Sequence, residues 1–277
     1  MSDAGTPPQR LRPGPREHVK SVLAAGSRPG SPATGATLLT YHRVGGGTVD
    51  ELDLGTSAFA RQLDLLEGHD VLSLDAALDR LEAGDDRASV TLTFDDGFEE
   101  VYSTAWPLLR ERALPFTVYL ASAFVGRPMV WEGSTARGAR GAGMTWDQLG
   151  ELVASGLCTV GNHTHRHVRP EQLDEAELDA CTEAVEHHLG VTPTHFTYPW
   201  GVRVPAMEPA LRARFRSAST GELGRNLPGT DQLRLRRVPV RRTDPSSFFA
   251  AKLSGGLRPE RAYARMVQLG KALGLRG

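Results

Sequence analysis

The chain has 277 residues, 40% hydrophobic and 23% charged, the make-up of a globular protein long enough to bury its core without covalent staples. A formal net charge of -1 removes any electrostatic case for nucleic acid or an anionic membrane surface as partner. Cys158 and Cys181 are too few for a disulfide framework, and no apolar run approaches the ~20 residues of a membrane span.

Residues 1–35 are rich in Pro, Gly, Ser and Arg. Their one apolar piece, Val22-Leu-Ala-Ala25, is too short for the core of a signal peptide. They are expected to form a mobile leader with at most one short helix over 16–25, and the missing export signal sets a cytoplasmic location as the expectation. The rest, 36–277, reads as one catalytic domain without an internal linker or repeat.

Ala36-Thr-Leu-Leu-Thr-Tyr41 reads as a buried strand running into His42. Ser57 is the expected cap of a helix carrying Phe59, Leu63 and Leu66. A short strand at 71–74 and a helix through Leu81 follow. Ser89-Val-Thr-Leu-Thr-Phe94 is the clearest strand; Asp95-Asp-Gly97 turns the chain into a helix over 98–112. Next come a strand at 116–120 and a Gly/Arg-rich excursion over 126–143 containing Trp131. Thr145 caps a helix over 146–154, and Leu157-Cys-Thr-Val160 is a strand running into Gly161-Asn-His-Thr-His-Arg-His167. A helix over 170–189 ends at Gly190, and a strand at 195–198 is closed by Pro199-Trp-Gly201. A helix over 205–214, strands at 215–218 and 235–240, and tail helices over 246–253 and 259–273 complete the chain. Strands alternating with helices predict parallel strands with helices outside, and in a barrel of that kind the strand ends gather on one face.

The polar clusters sit at those ends. Asp-Asp-Gly alone is ordinary turn chemistry, with Asp96 capping the next helix. Here it follows a strand apolar on both faces, and adjacent carboxylates repel unless a cation or proton shares them. A metal on one leaves the other to take a proton from water. Among the histidines, His163 and His165, or His165 and His167, could be chance neighbours. His163 and His167 stand four apart, and on a helical turn that spacing lets both reach one ion. Thr164 is expected to steady that turn by bonding to backbone, and His165 to point away without a role. One carboxylate and two imidazoles suit one divalent ion, Zn2+ first, with Co2+ and Ni2+ as alternatives.

Thr-Phe-Asp-Asp-Gly and His-Thr-x-x-His resemble the first two motifs of the polysaccharide deacetylases, carbohydrate esterase family four. Phe196-Thr-Tyr-Pro-Trp-Gly201 resembles the third motif, and Trp146-Asp-Gln-Leu-Gly-Glu-Leu-Val-Ala-Ser-Gly156 the usual approach to the second; the likeness runs over residues 38–244. It implies a distorted (β/α)7 barrel. It makes Asp95 the base and Asp96, His163 and His167 the metal ligands. The third motif implies a groove lined by Tyr198, Pro199 and Trp200, with the Trp200 N–H helping to hold the oxyanion. Two departures matter. The third motif often carries an Arg bracing the base, and Thr197 stands near that position instead. The final motif usually brings a catalytic His near the C-terminus, and none follows Val240. Leu38-Leu-Thr-Tyr-His42 resembles instead the circularly permuted branch, the poly-N-acetylglucosamine deacetylases, where that His comes first. His42 is therefore the expected acid; the bland alternative is a His closing the barrel. His195 is the weaker candidate because it enters its strand rather than leaving it.

Trp200 is expected at the site; Trp131 is left open between site and core. Arg236, Arg237, Arg241 and Arg242 read mostly as a solvated edge, though one of them could brace Asp95. The tail helices read as a packing cap. The implied reaction is removal of N-acetyl groups from an amino sugar in a glycan, with an N-acetylated glycan as the partner. Rival readings are hydrolysis of a small amide or imide on the same scaffold, and a glycan-binding pseudoenzyme.

Overall fold

The computed structural model describes residues 14–26, 33–134, 141–254 and 257–272. Seven parallel strands close a barrel in the order β1 (Ala36–Tyr41), β4 (Ser89–Phe94), β5 (Phe116–Leu120), β6 (Cys158–Asn162), β7 (His195–Thr197), β8 (Ser217–Leu223) and β9 (Leu235–Pro239), with β9 pairing back to β1. β2 (Arg43–Val44) and β3 (Asp53–Leu54) form a separate two-residue ladder beside the mouth. The distorted (β/α)7 barrel is the observed fold, its distortion concentrated where β8 slips register between Ser219 and Leu223.

Both faces of each early strand are buried, so they read as continuous runs rather than alternating ones. On β4, Val90, Leu92 and Phe94 join the core between sheet and helices, with Phe94 stacked on Tyr41 and edge-on to Phe59 and Phe116. By the two-residue period Thr91 and Thr93 turn into the barrel, and Asp95 follows them at its mouth. Helices α2 (Thr56–Asp64), α3 (Leu74–Glu82), α4 (Trp106–Glu111), α5 (Trp146–Ala154), α6 (Glu175–Leu189) and α7 (Glu208–Arg214) lie between successive strands in the chain.

Several local expectations change. Gly55, not Ser57, caps α2, its carbonyl accepting from Ala58 and Phe59. The strand at 71–74 reduces to one bridge, Val71 to Val90, because Ser73 caps α3 by accepting from the Ala76 N–H at 3.2 Å. The helix over 98–112 opens as a π-helical segment, Val101–Ala105, before α4; Pro107 in the first turn of α4 has no N–H to give. The helix over 170–189 is a short 3-10 turn, then α6 capped by Asp174. The strand at 215–218 starts later, because Phe215 still closes α7 by donating to the Leu211 carbonyl.

Of the leader, 1–13 and 27–32 lie outside the described residues. Its helix α1 (Pro15–Ala25) packs on α8 (Ser246–Leu253) and α9 (Arg258–Ala272). Lys20 of α1 is fully buried, bonding Thr243 and Asp244 at 2.7 Å each. Lys252 of α8 reaches the other oxygen of Asp244 at 2.6 Å, so one buried carboxylate ties both ends of the chain to the turn after β9. No helix among the described residues is long and apolar enough to cross a membrane.

Candidate active site

Two left-handed residues reverse the chain after β4: Asp96 at φ 75° and Gly97 at φ 90°. Glycine suits the φ of 90° at Gly97, where a Cβ would also fall 2.6 Å from Leu120 Cδ1 and require that side chain to shift. The Asp95 N–H still donates to the Tyr41 carbonyl at 2.9 Å, continuing the ladder with β1. Both carboxylates thereby project into one cavity of about 300 Å³ at the strand ends, also lined by His42, His163, His167, Trp131, Trp200 and Arg237.

Asp96 Oδ1 lies 3.3 Å from His163 Nε2 and 3.4 Å from His167 Nε2. One donor atom from each of the three residues falls within 4.8 Å of the others. The His163 Nδ1–H donates to the Thr197 carbonyl at 2.8 Å, which leaves the Nε2 lone pair facing Asp96. Burial pulls the pKa of His167 down to about 4, against the attraction of Asp96, so that imidazole is uncharged near neutral pH. Burial opposes ionisation of Asp96, but a hydrogen bond from His163 when that ring carries its second proton, and the charge of the neighbouring imidazoles in acid, outweigh it and hold the carboxyl well below its usual range. Asp96 Oδ1 is buried without a hydrogen-bond donor. An ionised carboxylate and two imidazole lone pairs aimed at one point fit a divalent cation and little else.

The histidine pair converges, but not on a helical turn. Thr164 at φ 66° and His167 at φ 51° are both left-handed, and these two reversals bring the rings to 4.9 Å between centroids. Thr164 does not steady the turn with its hydroxyl, which is buried without a partner; its N–H is taken by Asn162 Oδ1 at 2.8 Å. His165 turns away and meets Ser122 Oγ at 2.8 Å.

Asp95 stands apart from this trio. Arg237 Nη1 bonds both its oxygens, at 2.7 and 2.8 Å, and Arg237 Nε donates to the Thr220 carbonyl at 3.1 Å. The brace absent from the third motif is therefore supplied by β9. Two-residue alternation could have singled it out, since Arg237 shares the inward face with buried Leu235. Arg236 pairs with Glu222 on the outside, and Arg241 pairs with Glu260 under α9. His42 lines the cavity with its Nε2 3.9 Å from Asp95 Oδ2. His195 is buried against Ser217 and Asp75 and does not line the cavity.

The third motif is only partly at the site. Tyr198 and Pro199 do not line the cavity; the Tyr198 ring continues the outward face of β7 and packs on Phe196, with centroids 5.1 Å apart. Trp200 does line it, 39% exposed and at φ 64°. Trp131 joins it, stacking on the His167 ring at 4.6 Å and 29°, while Trp200 meets that ring edge-on at 5.4 Å. Glu132 pairs with Arg169, whose guanidinium lies over Trp200, so the excursion after β5 and the β7 loop are joined above the metal ligands.

The family model described as polysaccharide deacetylase matches residues 82–213. The structure of IcaB from Ammonifex degensii superposes with a TM-score of 0.69 at 31% identity, covering 81% of this chain and 99% of that one. This chain belongs to the polysaccharide deacetylase family. BC0361, a polysaccharide deacetylase from Bacillus cereus, shares the fold at TM-score 0.66 and 20% identity, over 80% of this chain and 69% of that one. So does the Streptococcus pyogenes deacetylase PplD solved with acetate, at 0.66 and 20%, over 80% and 99%. No curated protein matches the chain. As a member of the polysaccharide deacetylases, a metal-dependent family, the chain is a hydrolase whose His/Asp cluster offers a site for a divalent ion.

Proposed function

We propose that the protein removes N-acetyl groups from an amino sugar within a glycan, using one divalent ion held by Asp96, His163 and His167. The observation that carries this is the division of labour at the β4 end: three ligand atoms converge, and Asp95 is left over beside them. Zn2+ suits two imidazoles and a carboxylate best, and Co2+ or Ni2+ would also be accepted. When bound, the ion polarises the acetyl carbonyl and lowers the pKa of water to about 7.

The chain's own groups do the rest. Asp95 takes the proton of the attacking water, and Arg237 holds both oxygens of that carboxylate in place. Trp200 is part of the cavity wall, and its backbone N–H is assigned, as the third-motif likeness implies, to the oxygen on which charge develops. His42 donates a proton to the departing amine. Trp131 and Trp200 wall the cavity with aromatic faces suited to a sugar ring.

Assaying acetate and free amine on N-acetylglucosamine oligomers and, in parallel, on small cyclic imides tests this reading. Release in equal amounts from the oligomers, lost with chelator, is expected. Turnover of the imides alone transfers the site to small amides, and turnover of neither makes the protein a binder. His42→Ala is expected to retain the metal and to lose about 10²–10⁴-fold in turnover on the amide. The loss should shrink on an activated acetate ester, whose leaving group needs no proton. Equal losses on both substrates would remove His42 as the acid.

A further inference from the structure

The two histidine ligands that follow β6 sit on a backbone that does not hold itself. Thr164 and His167 are non-glycine residues in the left-handed region, a conformation that persists only where the surroundings impose it. The surroundings here are two buried residues outside the cavity. Asn162, fully buried, accepts the Thr164 N–H through Oδ1 at 2.8 Å. Its Nδ2 donates to the Leu178 carbonyl at 2.8 Å and to Thr182 Oγ1 at 3.1 Å, both on α6. Glu177, 3% exposed in the first turn of α6, takes the next two N–H groups. Its carbonyl accepts from His165 at 3.0 Å, and its Oε2 accepts from the Arg166 N–H at 2.8 Å. Its Oε1 accepts from Arg166 Nε at 2.6 Å. Three consecutive N–H groups between the two ligating histidines are thus all committed to Asn162 and Glu177.

We infer that Glu177, with Asn162, is a positioning residue for the metal centre: α6 serves as the template on which the loop carrying His163 and His167 is bent toward Asp96. The inference rests on the metal-site reading above. Glu177 does not line the cavity. Its side chain acts through the Arg166 amide, beside the His165 amide that its backbone carbonyl holds, and so on the angle at which His167 approaches. Trp131 and Trp200 pack against the His167 ring and leave it little room to compensate for a displaced backbone.

The test uses the full chain, stripped with chelator and titrated with Zn2+ or Co2+ alone in competition with a chromophoric chelator. Glu177→Ala is expected to bind the ion about 10–100-fold more weakly, as losses of supporting groups around metal ligands do. It should also change the visible absorption of the Co2+ form, while the metal-free protein melts near the unsubstituted one. Glu177→Gln keeps an acceptor for the Arg166 N–H but loses the charged pair, so its affinity should lie between the two. Native affinity and an unchanged Co2+ spectrum in folded Glu177→Ala overturn the inference; if that variant does not fold, native affinity in Glu177→Gln does so. Absence of ion binding by the unsubstituted protein overturns the metal site itself, and this inference with it.

Discussion

Asp95→Asn is expected to keep the metal and the barrel and to lower turnover by about 10²–10⁴-fold, the usual cost of losing a general base. The substitution is nearly isosteric. The remaining oxygen still accepts from Arg237 Nη1, which now meets each oxygen of Asp95 within 2.8 Å. What disappears is the capacity to take a proton. The ion should remain because its three donors, Asp96, His163 and His167, do not include Asp95. Turnover on an N-acetylglucosamine oligomer, measured with metal content on the same sample, separates the two roles. An Asn variant with most of its activity would reduce Asp95 to a turn residue.

Arg237→Met carries the second large effect, on stability as well as rate. Arg237 and Asp95 have side chains only 6% and 3% exposed. Methionine fills the space of the stem but leaves Asp95 buried beside Asp96 with no guanidinium. Breaking a buried ion pair by removing one partner typically costs about 3–5 kcal/mol. Urea denaturation of the metal-loaded protein should show a loss of that size, and turnover should fall with it because the base is no longer held. Arg237→Lys should recover part of both, since an ammonium restores the charge but cannot reach both Asp95 and the Thr220 carbonyl. Native stability in the Met variant would mean that the pair contributes nothing to the barrel.

Much of the site was legible because strand ends in a parallel barrel share one face. That rule alone carried Asp95, Asp96, His42, His163 and His167 to a common mouth from separate parts of the chain. The means of convergence was less legible. Four-residue spacing points to a helical turn, yet Thr164 and His167 are left-handed, and β-branched Thr164 is among the types least expected there. Tyr198 leaves the groove that the motif likeness implies because alternation sets it on the same outward face as Phe196. Trp131 lies in a Gly/Arg-rich excursion with no period to read, so only its stacking on His167 places it. Lys20 offered no local signal at all, because its partner Asp244 is 224 positions away. A lysine buried by a distant carboxylate leaves no mark on its own neighbours in the sequence.

The most direct test of the metal centre is the number of divalent ions bound per chain, by elemental analysis of protein loaded with Zn2+ and dialysed. The arrangement of Asp96, His163 and His167 predicts about one ion per chain, falling sharply in His163→Ala and in His167→Ala while Asp95→Asn keeps it. Unchanged metal content in both histidine variants would contradict the account.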